Sequence, residues 1–120
     1  MATILYIGTY GTDDLTRATM PFHMASGALD AGHEPGIVLA GEASYLLKSG
    51  VIEEVRGLGI PPLAELMAKM IQHHVPIYVY GGCAKARGAL QSDLEGKNAS
   101  FITSKDLADL TVAADRVVTI

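Results

Sequence analysis

Five short apolar or β-branched runs, separated by stretches of helical periodicity, leave this chain few folds to choose from. The runs are Thr3 to Ile7, Gly36 to Ala40, Pro76 to Tyr80, Phe101 with Ile102, and Arg116 to Ile120. Between them, apolar residues recur at spacings of three and four: Leu15, Ala18, Phe22, Ala25 and Leu29, then Leu63, Leu66, Met67, Met70 and Ile71, then Leu107, Leu110, Thr111 and Ala114. That spacing puts each set on one face of a helix. Strands that alternate with helices are joined by crossovers, which make neighbours parallel, and strands apolar throughout are covered on both faces. The pattern predicts an α/β domain with a mostly parallel sheet between helical layers.

Punctuation residues sharpen the boundaries. Pro21 predicts that the first helix becomes regular near Thr19, with the proline in its first turn, or is kinked there. Pro61 and Pro62 suit a helix start, and His73 and His74 end that helix where imidazolium charge meets the negative end of the dipole. Glu42, just past a strand end, reads as the cap of a short helix over Tyr45 to Lys48, or alternatively as a general base. Ser49 to Ile60 reads as an exposed connection, a lid or a subunit contact, and Gln91 to Ala99 as a polar surface loop. Ser104 is the expected cap of the last helix.

The chain of 120 residues is one domain, residues 1–120, large enough to enclose a core without staples. Its hydrophobic share of 49% and mean hydropathy of +0.28 exceed what one small domain needs to bury, which points to contact between subunits. No apolar run is long enough to span a bilayer. A net charge of −4 argues against direct binding of nucleic acid or anionic lipid. The amino terminus enters a strand pattern without a basic region or cleavage site, so the expected location is the cytoplasm, where a thiol stays reduced.

The chemistry concentrates in Tyr78 to Gly88, where a strand meets Gly81, Gly82 and then the only cysteine, Cys83, at the mouth of a helix over Ala84 to Arg87. Amides of a first helical turn lack partners and the dipole is positive there, so a thiolate is favoured and Lys85 and Arg87 add positive charge. The paired glycines suit a tight turn and close approach of a ligand. The loop Gly8 to Asp13, containing Tyr10 and Gly11, follows the first strand and is a candidate pocket wall. It lacks the order of a phosphate-binding motif. His23 falls off the apolar stripe and is either solvated or faces a pocket. Adjacent His73 and His74 make a poor metal pair, and no motif asks for a metal or an organic cofactor.

With these segments in place the sequence resembles the DsrE and DsrF-like family of small sulfur-relay proteins, nearly end to end. The likeness rests on Tyr10, Gly11 and Thr12 after the first strand, on Gly27 to Glu34, on Cys83 to Gly88, and on Asp115 to Val118. It implies a three-layer α/β/α sandwich with a five-stranded, mostly parallel sheet, flavodoxin-like or DsrE-like. It also implies self-assembly as a homotrimer or homohexamer, partner proteins that donate and accept sulfur, and a persulfide carried on cysteine. The cysteine of TusD-like members registers at Tyr80, three residues before Cys83. The chain departs from those members here, but a strand end and a helix mouth open onto one pocket, so the sulfur chemistry is transferred to Cys83, with Tyr10, Gly11, Tyr80, Gly81, Gly82, Ala84 and Lys85 as the expected substrate-binding residues. The competing expectation is a non-catalytic oligomeric module that binds a small anion or metabolite at the same strand ends.

Overall fold

A computed structural model describes all 120 residues. The strands are β1 (Thr3–Gly8), β2 (Glu34–Leu39), β3 (Ile77–Tyr80), β4 (Ala99–Ile102) and β5 (Arg116–Thr119). The helices are α1 (Leu15–Asp30), α2 (Leu63–Gln72), α3 (Gly81–Ala86) and α4 (Ser104–Ala113). Single 3-10 turns occupy Gly41–Tyr45, Ile52–Glu54 and Gln91–Leu94. All strand pairs are parallel, in the order β4-β3-β2-β1-β5.

This order decides how the layers are filled. The first three crossovers step along the sheet in one direction, and the fourth returns across it to place β5 beside β1. Crossovers of one hand therefore put α1, α2 and α3 on one face and α4 alone on the other. Phe22, Ala25, Leu63, Met67, Met70 and Ala84 accordingly share one large core with Ile37, Ile77 and Val79. The opposite face has a small cluster, Leu5, Val38 and Ile102, with Leu107 and Leu110 of α4 and the following Ala114 laid over it. No residue of α4 is buried, and all four residues of β5 are exposed. The sheet is thus three layers deep, but its second helical layer is a single strut.

Several boundaries differ from the sequence expectation. The first helix starts at Leu15, because the Asp14 carboxylate accepts the Arg17 amide and caps it. Pro21 lies inside the helix, buried where a Cβ on Gly8 would come within 2.8 Å of its Cγ. Its tight packing on β1 holds a residue that propensity would exclude. Leu15 and Ile71, expected on apolar faces, are each 37% exposed. Thr103, not Ser104, caps α4, and its side chain and that of Asp106 reciprocally bond each other's amides. Within Ser49 to Ile60, Ile52 and Val55 are buried, so that connection is anchored in the core, and Asp93 and Leu94 anchor the segment expected as a surface loop.

Candidate active site around Cys83

No residue separates β3 from α3: Tyr80 is both the last strand residue and the N-cap, and it supplies no capping side chain. Gly81 and Gly82 therefore form the first turn of the helix and not a loop before it. Gly81 is buried, and a Cβ there would sit 3.5 Å from the Ile102 carbonyl of β4, whereas the space beside Gly82 is open. Cys83 is the third helical residue, partly exposed, with first-turn amides that helix geometry leaves without intrahelical partners.

Helical spacing sorts the neighbours. Ala84, one residue on, is fully buried and packs in the core. Lys85 is exposed and leans over the Phe101 ring, 5.8 Å from its centroid. The cation on the helix face of Cys83 is Arg87, four residues later. Its Nη1 donates to the Cys83 carbonyl at 3.1 Å. Its Nε and Nη2 both donate to Glu42 Oε1, at 2.9 and 2.7 Å. Chiefly through this hydrogen bond, the guanidinium holds its proton even more firmly than a free arginine. Partial desolvation opposes the effect, and negative charge on Glu42, Cys83 and Tyr45 reinforces it. Glu42 thus binds Arg87 and caps no helix; the turn Gly41–Tyr45 has no side-chain cap.

The three loops at the carboxyl ends of β1, β2 and β3 are stitched together. The Tyr45 hydroxyl accepts the Thr12 amide at 3.2 Å and shares a 2.5 Å hydrogen bond with Thr12 Oγ1. A Cβ at Gly11 would overlap the Glu42 carbonyl, so only glycine lets the first loop lie against the second. Gly11 spends its own amide on Asp13 Oδ1 at 2.7 Å, and Tyr10 lies beneath the Arg17 guanidinium, 5.3 Å from its carbon. Gly11 therefore lies against Glu42, whereas Tyr10 is engaged by Arg17. Tyr80 follows Tyr78 in the strand alternation and belongs to the side of the sheet that carries α4. His23 is exposed on α1, and no three metal-ligating side chains converge anywhere.

Two clefts of about 430 and 410 Å³ lie elsewhere, at the amino ends of the strands. Neither includes Cys83, which is partly exposed. The matching sequence model, that of the DsrE/DsrF-like family, covers residues 2–120. The chain belongs to the DsrE/DsrF-like family. A DsrE-like architecture is also what relates it to the crystal structure of the ychN protein from E.coli, with a TM-score of 0.71 and 18% identity over 100% of both chains. At that identity the likeness is one of fold. No curated protein matches the chain. The sequence placed Cys83 and its two glycines at the junction of β3 and α3, and the structure has them there. It marked Arg87 as added positive charge at the i+4 spacing from Cys83, but missed the ion pair that joins Arg87 to Glu42.

Proposed function

We propose that this protein is a small sulfur-relay protein that carries sulfane sulfur as a persulfide on Cys83. Membership of the DsrE/DsrF-like family suggests a sulfur-relay role, and the carrying observation is a single, partly exposed thiol at a helix start beside Arg87. The Cys83 thiolate attacks the outer sulfur of a donor persulfide; the new S–S bond forms as the donor's breaks, and the donor leaves as a thiolate. An acceptor thiolate then attacks the outer sulfur and Cys83 departs as the thiolate, so no net oxidant is needed. With one cysteine in the chain, the acceptor thiol belongs to another protein. The partial exposure of Cys83 lets a thiol of another protein reach it.

Self-association, as a homotrimer or homohexamer, is part of this proposal. It is supported by the exposed β5 and by the lone helix on that face of the sheet. No helix is long and apolar enough to cross a membrane, and a relay through a reduced thiol suits the cytoplasm.

Loading purified protein with polysulfide and weighing it tests the carrier role. The expected product is heavier by ~32 Da per chain and reverts on reduction. An unchanged mass, or equal loading of Cys83→Ser, rejects it.

A further inference from the structure

We infer that Arg87 and Glu42 form an opposed pair that sets the reactivity of Cys83, Arg87 stabilising anionic sulfur and Glu42 restraining it. The inference deepens the carrier reading and rests on Cys83 being its nucleophile. Three of the five guanidinium N–H groups are engaged, two by Glu42 Oε1 and one by the Cys83 carbonyl, which leaves two for an anion. Arg87, the C-cap of α3, stands four residues after Cys83, and a persulfide adds one S–S bond, roughly 2 Å, to the reach of the Cys83 side chain. Glu42 approaches from the neighbouring loop, and the wall at Gly11 and the Thr12–Tyr45 bond fix that loop's place.

The arrangement makes Glu42 a competitor for the same cation. The pair is partly open to solvent, with Arg87 and Glu42 side chains 33% and 42% exposed, so it opens at little cost when a better anion arrives. The other ionisable groups near the thiol do not duplicate it. Lys85 is drawn over Phe101, and Tyr45 is hydrogen-bonded to Thr12. In the resting protein Glu42 holds the guanidinium next to Cys83 while cancelling much of its field; in the loaded protein the terminal persulfide sulfur takes its place.

The experiment is the rate of iodoacetamide alkylation of the full-length protein at pH 7 and low salt. Glu42→Gln, which keeps an acceptor oxygen but removes the charge, is expected to react about threefold faster than the native protein. Arg87→Met is expected to react about threefold slower, and Arg87→Lys to recover most of the loss. High salt shrinks both differences. Both Glu42→Gln and Arg87→Met break the same ion pair, so a merely structural role would move the two rates in the same direction. That result, or two unchanged rates, overturns the inference. Glu42→Ala and Arg87→Gln serve as replacements if either protein fails to fold. Opposed rates in a protein that never gains ~32 Da would uphold the pair while rejecting the carrier role.

Discussion

Gly11 and Glu42 touch backbone to backbone, at a point where even one methyl group on Gly11 would overlap the Glu42 carbonyl oxygen. Backbone cannot rotate away as a side chain can. Gly11→Ala is therefore expected to destabilise the protein by about 2 kcal/mol, roughly 8 °C in Tm by scanning calorimetry, and to slow Cys83 loading as the Glu42 loop is displaced. Gly27→Ala is the contrast. Its new Cβ meets nothing within 4 Å on a helical position, so a gain of about 0.5–1 kcal/mol is expected. Equal Tm changes in the two variants would contradict the contact.

The two faces of the sheet differ in what they contribute. Phe22 is fully enclosed under α1, whereas Val112 of α4 is 87% exposed. Phe22→Ala should cost about 3–5 kcal/mol in urea unfolding, and Val112→Ala about 0.5 kcal/mol or less. A large loss from Val112→Ala would mean that α4 is covered in solution.

Asp93 ties two segments together: Oδ2 accepts the Leu90 amide at 2.8 Å and Oδ1 the Ser49 amide at 3.1 Å. These backbone bonds, chiefly that from Leu90, hold its carboxyl below the ordinary value of 3.8, with Lys97 and Lys48 assisting against some desolvation. A depressed folded value means that the stabilisation is fully present above the unfolded value and is lost as pH falls through the folded one. As pH falls below the ordinary value of 3.8, native stability should therefore fall more steeply than that of Asp93→Asn, which should already be weaker at pH 7. Parallel curves from denaturant titrations at several pH values would discount the linkage.

Val117 and Val118 on β5 are 39% and 36% exposed along an unprotected strand edge. If this edge is a subunit contact, light scattering of the native protein should report a multiple of 12.6 kDa, and Val118→Asp should give a folded monomer. A native mass of one chain would remove self-association from the proposed function.

The elements were legible because their signals are local. Apolar runs such as Pro76 to Tyr80 and the α2 stripe from Leu63 to Met70 announce themselves by period, and the observed strand and helix overlap them. Pro21 left two alternatives open, and the helix runs through it because the packing that tolerates it lies on Gly8, thirteen residues earlier. Glu42 was misread for the same reason: its partner is 45 residues away, and a carboxylate after a strand end looks locally like a cap.

By itself the sequence determined the order of strands and helices, their parallel pairing, and a single thiol delivered to a helix start, since backbone sterics and apolar periodicity act over a few residues. Tertiary structure alone decided which faces are full and which carboxylate reaches the arginine that follows Cys83. Those are relations between segments distant in the chain, and they exist only once the crossovers have brought the carboxyl ends of β1, β2 and β3 side by side.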